Sequence, residues 1–311
     1  MNLGKNIDVT NSLNQGVKFL INNQHEDGSI HLTDETKWQV WETANAILSV
    51  YFANKDEKEF LKKATDFLLT YQREDGSFYY TVSFEENRYC METTAISILA
   101  LTRTQKDVTK GLEFILNKQN QDGSWDVGIP EISKYRNWPS ITGFSLKTLL
   151  SMSITSDNVI KGVEFLLKNQ LNDGSWGSKW IYYDTPYYPI HVILSVLKLT
   201  ELTKSQNYQK AILFIKKNQN QDGSWENNKI DKPAPSPELR TALALRSLLV
   251  SPDKTDVSCI EKGVQWLIRR QRSDGHWEGG YFVGWSGKKE DIYATSTALY
   301  ALKKFWQFTF D

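Results

Sequence analysis

A short segment that runs from a glutamine to an aromatic residue occurs six times along the 311-residue chain. Its clearest copy, residues 119–125, reads QNQDGSW. The glutamines that open the six copies are separated by 47 to 52 residues: Gln24, Gln72, Gln119, Gln170, Gln219 and Gln271. A repeat of this length predicts one supersecondary unit that is copied along the chain, with each copy burying its apolar face on its neighbours.

Each copy carries a helical pattern on both sides of this Gln-to-Trp turn. In the third copy Val108, Leu112 and Ile115 recur every three to four residues, which predicts an amphipathic helix that ends near Gln119. The Asp-Gly pair then favours a tight turn, because glycine adopts positive φ without steric cost. A second helix, near 138–153, is more apolar and carries few charges, which indicates that it is buried.

The same alternation predicts six outer and six inner helices. We expect the outer helices near 10–24, 56–72, 107–119, 157–170, 205–219 and 256–271, and the inner helices near 36–53, 88–103, 138–153, 187–200, 236–250 and 290–306. Six hairpins of this kind can close on one another. The predicted fold is therefore all-α, an α6/α6 toroid that forms a single domain over residues 1–311. Its inner helices would begin together at one rim.

Composition excludes several functions. The 37 basic and 37 acidic residues cancel, so no charge excess favours nucleic acid or an anionic membrane. Cys90 and Cys259 fit neither a metal nor a disulfide spacing, which is typical of a reducing cytoplasm. Residues 1–11 are polar and do not resemble a signal peptide, and no apolar run reaches the roughly 18 residues of a membrane span. We expect a cytoplasmic protein.

The chain is rich in aromatic residues, with 11 Trp, 14 Tyr and 14 Phe, and many of them lie near the predicted starts of the inner helices. This concentration predicts an aromatic-lined pocket at that rim, although buried aromatics also fill ordinary cores. The expected substrate-binding residues are Trp38, Trp41, Glu42, Tyr89, Trp138, Tyr187, Tyr188, Trp285 and Tyr293.

The pattern K-G-x-x-F-I-x-x-x-Q-x-x-x-G-x-W at 110–125 resembles the QW repeat of squalene–hopene and oxidosqualene cyclases. Residues 161–176 and 262–277 match it equally well, and the resemblance covers nearly the whole chain. It implies the α/α-toroid that class II terpene cyclases share with protein prenyltransferase β-subunits. In such repeats the glutamine ties one outer helix to the next turn, so these residues are structural. Triterpene cyclases resemble two fused toroids; one toroid implies a shorter or differently shaped isoprenoid.

The family supplies its catalytic acid from an Asp-x-Asp-Asp-Thr-Ala motif at the start of an inner helix, and this chain lacks that tetrad. Aligning on Thr94-Ala95 places Glu92 on the position of the acid, with Cys90 and Thr93 at its flanks. We expect Glu92 to protonate the substrate, with His191 as its partner. The helix dipole would favour an ionised carboxylate there, so a simple helix-start charge is the alternative.

Other carboxylates lie near inner-helix starts, and the resemblance leaves other functions open. The alternative carboxylates are Glu42, Glu238 and Asp291.

The segment DIYAT at 291–295 resembles the Asp-x-Tyr-His-Thr segment of the zinc-binding β-subunits, but Ala294 replaces the histidine. The four histidines of the chain are His25, His31, His191 and His276. They do not show the spacing of metal ligands, so we expect neither a metal nor a cofactor.

The favoured function is a metal-independent class II cyclase that converts a terpene or meroterpenoid precursor, with a small-molecule isoprenoid as its substrate and with peripheral membrane contact for substrate uptake. A toroid that binds an isoprenoid, a lipid or a protein without converting it is the alternative, and a polysaccharide-acting α/α-barrel is a third class. A diphosphate head group would need the basic residues of the rim loops, namely Arg88, Lys134, Arg136, Lys179, Lys288 and Lys289.

Overall fold

The structure is a computed structural model, and it describes residues 7–32, 38–54, 56–82, 88–129, 138–177, 185–225, 235–253, 256–280 and 291–310. These ranges contain twelve α-helices and no β-strand longer than an isolated bridge. In chain order the helices are α1 (Thr10–Asn22), α2 (Gln39–Ala53), α3 (Lys58–Thr70), α4 (Met91–Arg103), α5 (Thr109–Asn117), α6 (Pro139–Ser151), α7 (Asp157–Lys168), α8 (Tyr187–Leu199), α9 (Gln206–Lys217), α10 (Pro237–Leu248), α11 (Val257–Arg270) and α12 (Asp291–Phe310).

The even-numbered helices form an inner ring. Each packs against the next along the chain, and α12 packs back on α2, so the ring is closed. The odd-numbered helices pack around the outside of this ring. The arrangement confirms the predicted α6/α6 toroid. The predicted bounds hold to within three residues, with α2 and α4 each beginning three residues later than predicted, except that α12 continues to Phe310.

Burial separates the two layers as the sequence pattern predicts. The outer helix α7 buries Val159, Val163 and Leu166 on one face and exposes its charged face. In the inner helix α4 every residue from Met91 to Leu101 is buried. Among the described helices, none combines the length and the apolarity that crossing a membrane requires.

The Gln-to-Trp turns join successive repeats. The side-chain amide of Gln119 donates to the carbonyl of Gly123 at 2.9 Å and to that of Asn158, at the start of the next outer helix, at 2.7 Å. Gly123 has φ +88°, and a Cβ there would lie 2.3 Å from the carbonyl oxygen of Lys161. Only glycine fits, because this close approach to the next outer helix leaves no room for a side chain.

The last repeat makes the same contact with the first. The Gln271 side-chain amide donates to the Ser12 carbonyl of α1 at 3.0 Å and to the Gly275 carbonyl at 2.8 Å. The Trp277 indole donates to the Leu267 carbonyl at 2.7 Å, as its counterparts in other repeats do. An open solenoid would leave the last turn without this partner, so the hydrogen bond to Ser12 fixes the closed form.

The inner helices run in one direction. Residues in the first turns of α2, α4, α8 and α12 meet around Glu92, as described below. Residues near the carboxyl ends of α2, α4, α6 and α10, together with the middle of the longer α12, meet around a cavity at the opposite end of the ring. The toroid therefore has an amino end, where the predicted catalytic residues lie, and a carboxyl end.

Candidate active site

Glu92 lies at the centre of the amino end. It is the second residue of α4 and is 6% exposed. The indole N–H of Trp41, from α2, donates to its Oε1 at 3.1 Å, and the hydroxyl of Tyr188, from α8, donates to the same oxygen. Three inner helices thus hold one carboxyl group in a fixed position.

Burial governs the protonation of Glu92. Removal from water raises the pKa of this carboxyl from its ordinary value of 4.5 to about 7, although the hydrogen bonds from Tyr188 and Trp41 oppose the change. The helix dipole also favours the ionised form, but the dipole is worth only about 0.3–1 kcal/mol. Burial therefore outweighs the helix-start effect, and a substantial fraction of Glu92 carries a proton at neutral pH.

Aromatic rings from four inner helices surround this carboxyl group. The rings of Trp41 and Tyr293 lie 4.5 Å apart between centroids, and those of Tyr188 and Tyr293 lie 6.3 Å apart in an edge-to-face arrangement. Phe144, from α6, is 5.7 Å from Tyr188. The faces of such rings attract a cation without supplying a nucleophile.

His191 lies one turn after Tyr188 on α8 and belongs to the same cluster. Its ring centroid is 5.5 Å from that of Tyr188 and 5.8 Å from that of Phe144. Its Nδ1–H donates to the backbone carbonyl of Tyr188 rather than to Glu92. Burial holds the pKa of His191 well below 6.5, and the positive charges of Arg246 and Lys147 lower it further. The imidazole is therefore neutral, with Nε2 as its basic nitrogen.

The other candidate carboxylates have different surroundings. Glu42 is 2% exposed, and burial together with the charge of Asp291 raises its pKa well above 4.5. Its Oε2 has no hydrogen-bond partner within the described residues. Glu238 is ion-paired with Arg270 at 2.7 Å, which makes it a structural link between α10 and α11. Glu42 is thus a second buried carboxyl group, close to Asp291.

Two of the predicted substrate-binding aromatics pack away from Glu92. Tyr89 packs edge-on against Phe114 of the outer helix α5, with ring centroids 5.0 Å apart. Tyr187 packs against Phe214 of the outer helix α9 at 6.3 Å. These two side chains therefore lie between the inner and outer layers.

The remaining predicted residues lie at the rim or beyond the described ranges. Trp38 packs against Tyr80 with ring centroids 4.9 Å apart, and Trp138 is half-buried just before α6. Trp285 lies outside the described residues. So do seven other aromatic residues near the predicted inner-helix starts and five of the basic residues of the predicted rim loops: Phe84, Tyr135, Trp180, Tyr182, Tyr183, Tyr281, Phe282, Lys134, Arg136, Lys179, Lys288 and Lys289.

Phe144 and the hydrogen bonds to Glu92 were not predicted from the sequence. Trp41 and Tyr188 were expected to contact substrate, whereas the structure uses both as donors to the carboxyl group. Phe144 lies inside α6 rather than at the rim. Lys147 lies one turn after Phe144 and is the only charged residue of α6. It lines the cavity at the carboxyl end of the ring, so it marks the face of α6 that points into the ring. Phe144 lies on the same face and could have been identified from this spacing.

The described residues contain no cluster of three or more His, Cys, Asp or Glu side chains that could hold a metal ion. Cys90, at the flank of Glu92, is buried, and burial raises the pKa of its thiol to about 12. The thiol is therefore neutral and supplies no second acid.

Comparison with known proteins identifies the family. The family model of the squalene-hopene cyclase C-terminal domain matches residues 2–131 and 138–304. Solved structures of the same fold include a protein from Actinoplanes, with TM-score 0.77, 18% identity, and coverage of 96% of this chain and 100% of that chain.

The type II terpene cyclase MstE from Scytonema gives TM-score 0.76 and 16% identity, with 95% of this chain and 97% of that chain covered. Variants of MstE are known in complex with geranylgeranyl dihydroxybenzoate (substrate) and with merosterolic acid A (product). A possible member of the GH105 family from Salmonella enterica has TM-score 0.68 and 14% identity, covering 99% and 96% of the two chains. At these identities the likeness shows the fold alone.

Proposed function

The chain belongs to the squalene-hopene cyclase C-terminal domain family, and on that premise we propose that it is a class II terpene or meroterpenoid cyclase, with residues 1–311 forming one toroid of QW repeats. The observation that carries the proposal is the buried Glu92, whose pKa is raised to about 7 inside a cluster of aromatic rings. Such a group can give up a proton, and the rings can stabilise the cation that results.

The reaction begins when protonated Glu92 transfers its proton to one carbon of a substrate alkene. The other alkene carbon becomes a carbocation, and Glu92 becomes a carboxylate that keeps its hydrogen bonds from Trp41 and Tyr188. Attack by a second alkene of the same substrate forms a ring and moves the positive charge. Tyr293 and Phe144 present further ring faces to that charge.

Loss of a proton from the final cation gives a cyclic alkene. We assign the acceptance of this proton to the Nε2 of His191, whose imidazole is neutral and lies in the same aromatic cluster. Solvent then takes the proton from His191 and restores the proton of Glu92 before the next turnover. We propose a prenylated aromatic compound as the substrate, because it fits the aromatic lining.

The direct test is incubation of the purified chain with prenylated substrates of different length, without added metal, followed by mass spectrometry for cyclic isomers. The substrates include a linear polyprene, a prenyl diphosphate and a prenylated hydroxybenzoate. Cyclic products that form in the wild type and are lost in Glu92→Gln support the proposal. Products that persist in Glu92→Gln exclude Glu92 as the acid.

A non-catalytic binding toroid is the second candidate, and the flanks of Glu92 favour it. The family tetrad places further carboxylates beside the acid, whereas this chain has the neutral thiol of Cys90 and the hydroxyl of Thr93. Tight binding of a prenylated compound without any cyclic product, in the wild type and in Glu92→Gln alike, would establish this function instead.

A further inference from the structure

The carboxyl end of the toroid contains a cavity of about 320 Å³ that the proposed reaction does not use. Four cations line it, one from each of the inner helices α4, α6, α10 and α12: Arg103, Lys147, Arg246 and Lys304. No aspartate or glutamate is among the described residues that line the cavity. The described lining of this cavity therefore carries four positively charged side chains and no negatively charged one.

Polar and aromatic side chains complete the lining. Ser296 is 3% exposed, and its Oγ has no hydrogen-bond partner within the described part of the chain. Phe52 and Tyr300 stack with their centroids 4.5 Å apart. The guanidinium of Arg246 lies 4.4 Å from the centre of the Tyr300 ring. This contact orients Arg246 before any ligand arrives.

Helix ends explain only part of this arrangement. Cations near the carboxyl end of a helix interact favourably with its dipole, and Arg103 is the last residue of α4. The cluster as a whole is nevertheless repulsive. Burial and the charges of Arg246, Arg103 and Lys304 lower the pKa of Lys147 from 10.5 to about 7. A bound anion would remove this repulsion.

We propose that this cavity binds the phosphate or diphosphate group of a small molecule. Arginine presents a planar fork that matches phosphate oxygens, and lysine adds a compact charge beside it. The unpartnered hydroxyl of Ser296 supplies a neutral donor at the inner wall of the cavity. The site is separate from the acid, since Glu92 and Arg103 lie on the same helix about 16 Å apart at 1.5 Å per residue.

Binding is measured on the full chain by isothermal titration calorimetry with sodium diphosphate and sodium phosphate at constant ionic strength. The variants are Lys147→Met and Arg246→Gln, and the matched control is Arg269→Gln, an exposed arginine on the outer helix α11. We expect each cavity variant to weaken diphosphate binding at least about tenfold, because it removes a charge-assisted hydrogen bond. Equal binding in the cavity variants and the control would overturn the proposal.

Thermal unfolding separates a ligand site from a structural cluster. Without anion, Lys147→Met should raise the melting temperature, since it replaces a repelled cation with an apolar side chain of similar shape. Diphosphate should raise the melting temperature of the wild type but not that of Lys147→Met. A lower melting temperature for ligand-free Lys147→Met, together with no effect of diphosphate on the wild type, would show that the cations only stabilise helix ends.

Comparing the affinities of a prenyl diphosphate and of free diphosphate shows which kind of molecule supplies the phosphate group. Tighter binding of the prenyl compound, again weakened in Lys147→Met, assigns the site to a lipid head group, and equal binding assigns it to a free ion or a small phosphorylated metabolite. The titrations require no turnover. Glu92→Gln should bind diphosphate as the wild type does, so failure of the proposed cyclase activity leaves this result standing.

Discussion

Replacing Glu92 with glutamine tests the proposed acid and its electrostatics together. Glutamine has nearly the same shape but carries no transferable proton, and its side-chain oxygen can still accept hydrogen bonds from Trp41 and Tyr188. The fold should therefore persist. Product formation should fall by at least about 100-fold, the low end of what general acid catalysis contributes.

The same variant should change how stability depends on pH. The pKa of Glu92 is about 7 in the folded chain and 4.5 ordinarily. Between these values the folded state holds a proton that the unfolded state has lost, so the free energy of unfolding decreases as the pH rises. Each pKa unit corresponds to about 1.4 kcal/mol, so the wild type should lose about 3 kcal/mol over this range that Glu92→Gln does not lose.

The assay is urea unfolding of both proteins at pH 5 and pH 8, with circular dichroism as the signal. The exposed Glu113 on α5 provides the matched control, because Glu113→Gln should follow the wild type at both pH values. Turnover of the wild type should fall as the pH rises through about 7, where Glu92 loses its proton. A stability difference between wild type and Glu92→Gln that is the same at pH 5 and pH 8 would refute the argument from burial.

Three further changes test the neighbouring contacts and the closure of the ring. Tyr188→Phe removes a hydrogen bond that lowers the pKa of Glu92, so the pH at which activity is half lost should move upward, by up to about one unit in a pH–rate profile. Gln271→Ala removes the hydrogen bond that joins the last repeat to Ser12 and a second one to Gly275 within the last turn, and it should lower the free energy of unfolding by about 1–3 kcal/mol in urea. An unchanged value would argue against ring closure through this turn. Gly123→Ala should destabilise the chain far more than Gly177→Ala in thermal unfolding: both glycines have positive φ, but an added Cβ meets a carbonyl oxygen at 2.3 Å at the first and only a methyl carbon at 3.8 Å at the second. Equal losses would show that backbone strain rather than the close approach sets the cost.

The architecture was predictable because it depends on local patterns that repeat. The three-to-four-residue spacing of apolar residues defines a helix within one segment, and the Asp-Gly turn defines where that helix ends. Predicting the fold required the number of repeats but no knowledge of contacts between distant residues. Even the bonding of Gln119 to the next outer helix followed from the resemblance to a known repeat.

The candidate site was only partly predictable. Glu92 was found through its alignment with a family motif, and Tyr293 and Tyr188 through their position near helix starts. The same reasoning grouped Tyr89 and Tyr187 with them, although both pack against outer helices. Proximity to a helix start gives the level of a residue in the toroid but not the direction in which its side chain points.

The helices, the turns and the number of repeats that close the ring follow from the sequence alone, because each is a local property or a count. The chemistry of the site depends on contacts between distant residues. The donors to Glu92 lie 51 and 96 residues away along the chain, and their arrangement together with burial sets its pKa. The basic cavity likewise joins Arg103, Lys147 and Arg246 from three helices, and no pattern within one helix could show that their charges share one unshielded space.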